Sequence, residues 1–382
     1  MPRVAKIPAV PWTLHASRLK QFRGNLLKWF RREKRALPWR ERRDPYRIWI
    51  SEIMLQQTRV AAVIPYYERF MKRFPTVEVL AGAQIESVLQ FWAGLGYYSR
   101  ARNLHQAAKQ IVGEHTGEFP HSIDAALTLP GIGAYTSAAI LSIAYGVPAA
   151  VLDGNVARVL ARLGAVEGDL RAPNRWSMLR DAADTLLDAK NASDWNESMM
   201  ELGATICTPR APQCGVCPIG KFCRARALGI QDDLPAKRVK RATEQVTLVA
   251  AVLLDVENRT VLVRSTSTNA ESAALFSNLW HFPAVVVREN ARDEIAEELD
   301  ILFKSKVIVR KLHMQPLDEA NHTVTFRKIT LAPYLVRVSK LPSASDSTKK
   351  QIALSAVSKL AVSSATRKIA ALASKAITNP KK

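Results

Sequence analysis

From residue 48 to residue 202 apolar positions recur at helical spacing, and alternating β-branched runs are rare. Gly and Pro break the pattern at Phe74-Pro75, Gly94, Gly96, Pro120, Pro130-Gly131, Gly146, Gly154 and Gly164. The spacing predicts about ten short helices there, preceded by another over residues 19–30. After residue 223 the texture changes. Strand-like runs cover 246–255, 260–264, 284–288, 306–313, 322–326 and 330–338, with one helical stretch at 291–302. The expected fold class is multi-domain, an all-α domain followed by a smaller α+β domain. The expected boundaries are a poorly ordered arm (1–16), the helical domain (17–228), a polar and basic linker (229–243), the α+β domain (244–340) and a tail (341–382). The tail is basic and rich in Ser and Ala, which predicts a mobile segment with one Ala-rich helix at most.

Charge narrows the class of partner. The chain has 382 residues and a formal net charge of +21, an excess that argues for a polyanion, either nucleic acid or an anionic membrane surface. No run of 18 or more uncharged apolar residues exists, so a spanning helix is excluded. The first 20 residues contain no continuous apolar stretch, so no secretory signal is expected. For a bacterial source that implies a cytoplasmic, nucleoid-associated protein. The basic run at 31–43, RREKRALPWRERR, reads first as a solvated face, but Leu37-Pro38-Trp39 interrupts it. Trp39 can pack while Arg40 is aimed elsewhere.

The four cysteines are clustered. Cys207, Cys214, Cys217 and Cys223 form C-x6-C-x2-C-x5-C in a loop (203–226) rich in Gly and Pro. Such spacing reads as a metal or cluster site. Zinc would favour two C-x2-C pairs or a His among the ligands, whereas four thiolates suit a [4Fe–4S] cluster.

Three further constellations carry chemistry. LPGIGAYT (129–136) lies between two helical patterns; Gly131 and Gly133 are expected to supply positive φ and to bring bare amides to a phosphate at a helix start. Alone, it is a weak signal. VLDGNVAR (151–158) puts Asp153 at the start of a helix, where a plain N-cap is the simplest role and where the helix end favours the ionised form. SEIMLQQT (51–58) puts Glu52 among apolar residues on both sides, so its pKa is expected to rise. One neutral acid and one ionised carboxylate is the pairing that cleaves a glycosidic bond.

WISEIMLQQT, WAGLGYYSRARNL, LPGIGAYT, VLDGNVARVLAR and the four cysteines, in this order, resemble the adenine DNA glycosylases of the MutY type. These belong to the endonuclease III-like helix-hairpin-helix superfamily. The resemblance is strong over residues 20–228 and weak beyond. It implies a base excision repair enzyme with a [4Fe–4S] cluster on the four cysteines. Its substrate would be adenine mispaired with 8-oxoguanine or guanine in double-stranded DNA, with no membrane partner and a monomeric state. By the same resemblance Glu52 protonates adenine N7. Asp153 stabilises the sugar cation, directly or through a covalent adduct, Asn155 orients Asp153, and Tyr135 assists near Asp153. Arg40 and Glu197 would contact the flipped adenine, while Gln57, Thr58, Leu95 and Tyr97 would fill the gap and touch the opposite guanine. Tyr135 stands where the endonuclease III type has a Schiff-base lysine, which implies a monofunctional glycosylase.

FSNLWHFP (276–283) resembles part of the MutT/Nudix-like recognition domain of these proteins, but the acidic helix at 293–300 is only a partial Nudix helix. Ala320-Asn321-His322 falls where many relatives carry a Phe-Ser-His loop, which makes His322 a candidate for contact with 8-oxoguanine. A uracil or thymine glycosylase of the same fold is the alternative enzyme. A non-catalytic DNA-binding scaffold is the alternative from another class, disfavoured because backbone binding needs neither carboxylate.

Overall fold

The computed structural model describes residues 10–236, 242–264, 276, 279–287, 291–303, 312–324, 326–344 and 348–378. The start of the expected arm, the end of the tail, most of the 306–313 run, and Ser277 and Asn278 lie outside the described residues. The helices are α1 (Ala16–Glu33), α2 (Pro45–Leu55), α3 (Val60–Arg73), α4 (Val77–Ala81), α5 (Ile85–Trp92), α6 (Ser99–Glu114) and α7 (Ile123–Leu127). They continue with α8 (Ala134–Tyr145), α9 (Gly154–Gly164), α10 (Pro173–Leu186), α11 (Ala192–Thr205), α12 (Arg224–Leu228), α13 (Ala291–Phe303) and α14 (Ser364–Thr378).

The chain divides into two compact units. One holds the described residues up to Gly82 and those between 103 and 239; the other holds Ala83–Arg102 and the described residues beyond 240. The sequence-based boundary is thus corrected at 83–102, which groups with the C-terminal residues.

In the first unit α8 is buried on every side from Thr136 to Ile143, as a helix apolar all round must be. Around it, α2 begins at Asp44, whose carboxylate accepts from the amides of Tyr46 and Arg47, with Pro45 at the first helical position. Phe22 of α1 packs edge-on against Phe222 of the cysteine loop at 5.3 Å and lies 6.1 Å from Trp195 of α11. The expected arm is also corrected in its described part. Pro11–Thr13 form a 3-10 turn, and the ring of Trp12 lies so close to Gly164 that a side chain there would collide with it.

In the second unit the strands are β1 (Glu244–Leu254), β2 (Arg259–Arg264), β3 (Trp280–His281), β4 (Ala284–Val287), β5 (Met314–Pro316), β6 (Ala320–Val324), β7 (Arg327–Arg337) and β8 (Lys349–Ala353). One sheet runs β4-β1-β7-β5, with β6 also paired to β7; β1 and β7 are parallel in the register Leu248↔Leu331. The other runs β3-β2-β8.

β1 is apolar on both faces. Val249, Ala251 and Leu253 face Ile295 and Leu299 of α13, while Leu248, Ala250 and Val252 join the cluster that holds Ile369 and Ala373 of α14. The expected mobile tail is therefore mostly folded. β8 pairs with β2 in the register Thr260↔Ile352, and α14 closes the second face of the main sheet. A strand buried on both sides needs two covering layers, and α13 supplies only one. Ile369 is 1% exposed. Ile369→Ala should destabilise this unit by about 2–5 kcal/mol, measured as a shift in its denaturant midpoint; no shift would mean that α14 does not hold the sheet.

Candidate active site

A cavity of about 570 Å³ opens in the first unit, lined by α2, α8, α11, the start of α9 and the 3-10 turn Pro38–Arg40. Its size suits a small ligand or a single base. Glu52 reaches it from α2. It is 7% exposed, and its neighbours Ile48, Ser51 and Ile53 are buried as well. Burial pushes its carboxyl up to about 7, and the Asp153 and Glu197 charges add to that; the Tyr135 hydroxyl and Arg40 pull it back. Tyr135, in the first turn of α8, donates its hydroxyl to Glu52 Oε2 at 2.9 Å. The resemblance implies that Tyr135 assists near Asp153; in the structure its hydroxyl meets Glu52, with Met200 Sδ at 3.3 Å beside it.

Asp153 caps α9. Its Oδ1 accepts from the Val156 amide at 2.7 Å, and its Oδ2 accepts from Asn155 Nδ2 at 3.0 Å. Burial still pushes its carboxyl above the usual range, against those bonds and the Arg158 charge. The expected effect of the helix end is present but is outweighed by burial. Asn155 Oδ1 in turn accepts from Arg158 Nη2 at 3.0 Å, and Arg158 Nε donates to the Cys207 carbonyl at 2.9 Å. Buried Asn196 braces the approach to Asp153. It donates to Ser142 Oγ and the Ala149 carbonyl, each at 2.8 Å, and accepts from the Val151 amide.

Trp39 packs edge-on against Tyr67 at 5.3 Å, while Arg40 turns into the cavity wall. Arg40 Nε donates to Glu197 Oε1 at 2.7 Å. Gln57 and Thr58 line the same cavity at the end of α2. Gln57 is exposed and has φ +59, a left-handed conformation that costs a non-glycine on the order of 1–3 kcal/mol and concentrates at functional sites.

The hairpin glycines differ from each other. Gly131 has φ +78, and a Cβ there would press on Asn103. Gly133 has φ −106 and open space around it, which corrects the expectation of positive φ. Gly133, at the N-cap of α8, has no side chain with which to accept from the first amides of the helix.

Leu95, Tyr97 and His322 lie in the second unit. Tyr97 is 44% exposed with φ +48. Its neighbour Tyr98 is buried and donates to the Val362 carbonyl at 3.3 Å, so of the two tyrosines the second packs and the first is presented. Leu95 is buried. His322 sits on β6 opposite Ile329, sharing a face with Ala320 and Val324, both packed on the apolar cluster. Burial lowers its pKa, with Lys368 adding to the effect.

The four cysteines line one small cavity together with Arg162, Pro212 and Ile219. Among the described residues no three His, Cys, Asp or Glu side chains converge on a point that could hold a single ion. Four thiols with no histidine in the cavity lining are a donor set that suits a [4Fe–4S] core. Burial pushes the Cys217 thiol up to about 12; thiolates here need a cationic core beside them. Arg162, 1% exposed, donates to Cys207 Sγ at 3.3 Å and to the Thr208 carbonyl at 2.7 Å, fastening the loop to α9.

Residues 50–178 match the HhH-GPD superfamily of base excision DNA repair proteins, and residues 207–223 match the iron–sulfur binding domain of endonuclease III. The adenine DNA glycosylase of Buchnera aphidicola (Baizongia pistaciae) is 30% identical over 329 residues, 86% of this chain and 89% of that protein. The chain belongs to the adenine DNA glycosylase family. The human adenine DNA glycosylase is 47% identical over 224 residues, 56% of this chain; the match spans 41% of the human protein's length. Among solved structures, a thermostable thymine-DNA glycosylase superposes with a TM-score of 0.50 at 31% identity, covering 55% of this chain and 97% of the other. The family's [4Fe–4S] cluster is the group that the four cysteines hold.

Two further residues line the cavity. Arg35 carries no sequence signal, because it lies within the basic run; Glu201 carries one, because it stands one helical turn after Glu197 on α11.

Proposed function

We propose that this chain removes adenine from duplex DNA opposite 8-oxoguanine or guanine, by hydrolysis of the N-glycosidic bond and without strand cleavage. The observation that carries the reading is the pair Glu52 and Asp153 on one cavity, with burial holding Glu52 near pH 7. Extrusion brings the base into the cavity at a cost of a few kcal/mol of unstacking, about the range usual for such enzymes. Glu52 gives its proton to a ring nitrogen of the purine. The bond from N9 to C1′ breaks with its electron pair leaving on the base. The Asp153 carboxylate faces the resulting sugar cation, and a water adds its hydroxyl to C1′ and releases a proton. An abasic site and free adenine result.

Tyr135 has no amine, so no Schiff base forms at that position. Thymine lacks a basic ring nitrogen equivalent to purine N7, and a neutral acid at the leaving group favours the purine. Gln57, in a left-handed backbone conformation and lining the cavity, is the residue we assign to the gap left in the duplex.

The test is a single-turnover assay on duplexes carrying adenine opposite 8-oxoguanine, G, C or T, and on a G:T duplex. Adenine release is expected opposite 8-oxoguanine and G, with strand breaks only after alkali. Thymine release from a G:T duplex with no adenine release would overturn the reading in favour of a thymine glycosylase. Breaks without alkali, trapped by borohydride through an amine, would overturn the monofunctional mechanism.

A further inference from the structure

Glu201 is 1% exposed and bonds four donors. Its Oε1 accepts from the Arg35 amide at 3.2 Å and from Arg35 Nε at 2.6 Å; its Oε2 accepts from Arg35 Nη2 at 2.9 Å and from Arg40 Nη2 at 3.0 Å. Arg40 spends its other nitrogens on Glu197 Oε1 and the Arg35 carbonyl, and its guanidinium lies 5.5 Å from the centre of the Phe30 ring. Every nitrogen of that guanidinium is thus directed. Glu197, by contrast, has Arg40 as its only hydrogen-bond partner among the described residues, although it is buried and lines the cavity.

We infer that Glu201 is a positioning residue for base recognition: by dividing its carboxylate between Arg35 and Arg40 it fixes Arg40, and through Arg40 it fixes Glu197 as an acceptor for the exocyclic amine of the flipped base. This rests on the adenine-removing reading above. An ionised carboxylate accepts from a 6-amino group and repels a 6-oxo group, so an acceptor held in place selects the amino purine. Two arginines and two glutamates balance. Removal of the Glu201 charge leaves Arg35 without its carboxylate partner and takes from Arg40 the acceptor of its Nη2, so that only Glu197 and the Arg35 carbonyl still hold the guanidinium. Glu201 itself is held ionised. Burial alone would raise its carboxyl, but Arg35 and Arg40 keep it below the usual range.

The experiment compares single-turnover release of adenine and of unsubstituted purine, which lacks the 6-amino group. Glu201→Gln should slow adenine release roughly a hundredfold, the size of a displacement of about 1 Å at a reacting group, while purine release changes far less. Glu197→Gln should behave the same way. The double variant Glu197→Gln/Glu201→Gln should be no slower than the slower single one, because both act through one acceptor. Affinity for a duplex with a tetrahydrofuran abasic site, and the visible absorption of the cluster, should match the wild type.

Equal slowing of adenine and purine, additive losses, or a fall in abasic-duplex affinity would make Glu201 merely structural and overturn the inference. If Glu201→Gln does not fold, Arg35→Gln/Glu201→Gln removes one charge of each sign and is read by the same criteria. A wild type inactive on both bases would overturn the underlying reading and this one with it. An active wild type with an unaffected Glu201→Gln variant would overturn this one alone.

Discussion

Glu52→Gln is expected to bind mismatched duplex as the wild type does and to release adenine roughly 10²–10⁴-fold more slowly, the usual contribution of a positioned general acid. Gln keeps the volume, and it can still accept from the Tyr135 hydroxyl, which now donates to Glu52 at 2.9 Å. It has no proton to transfer. The substitution therefore isolates proton donation from packing. The pH dependence has a definite sign. Burial raises the Glu52 carboxyl to about 7, and the protonated form is the active one. The wild-type single-turnover rate should be flat below that value and fall roughly tenfold per unit above it. The limb should vanish in the Gln variant. Turnover in that variant within a factor of about ten of the wild type would remove Glu52 from the acid role.

Much of this site could be read in the sequence because its residues lie on helices, where spacing fixes direction. Glu52 stands out because Ile48-Trp49-Ile50 and Ile53-Met54-Leu55 leave no polar face for it, and burial is what raises its pKa. The cysteines stand out by spacing alone. Other features were hidden for physical reasons. Arg35 sits in a run of like charges, and a run predicts solvation; only tertiary packing against Glu201 turned it inward. The direction of the Asp153 shift depends on how deeply the helix start is buried, which no local pattern encodes. Gly133 looked like Gly131, yet one has a negative φ and open space and the other a left-handed φ against Asn103.

The C-terminal segment misled for a different reason. Its Ser and Ala content resembles that of a mobile tail, but Ala365, Ile369 and Ala373 form the stripe that covers β1. The clue lay elsewhere in the chain. The run from Leu248 to Leu254 is apolar at consecutive positions, so it is buried on both faces and calls for a second helix. Residues 83–102 share the helical spacing of their neighbours, yet they group with the C-terminal unit, where Glu86 pairs with Arg264 at 3.1 Å.

Asp153→Asn is the second large expected effect, and it separates two roles that one carboxylate fills. As a cap, Asp153 accepts from the Val156 amide at 2.7 Å. Asn is about as good an N-cap as Asp, so the variant should keep the helix start and lose at most a few tenths of a kcal/mol of stability. As a catalytic group, Asp153 faces a sugar that becomes cationic when the base departs. An amide offers a dipole there in place of a charge. Loss of such a preorganised electrostatic partner in a buried site typically costs roughly 10²–10³ in rate, and a stall before bond cleavage leaves duplex affinity intact. Asp153→Ala supplies the complement, losing the same catalytic factor plus about 1 kcal/mol of cap energy. The pair is read by single-turnover release beside thermal melting. If Asn turns over adenine within about tenfold of the wild type while Ala is both slow and less stable, Asp153 acts only as a cap. Stabilisation of the cation would then have to come from Glu197 or from the approaching water. If Asn melts like the wild type and is as slow as Ala, the charge itself is what the reaction needs. The bonds from Val156 and Asn155 then serve to aim a carboxylate that the protein keeps in an otherwise unfavourable, buried place.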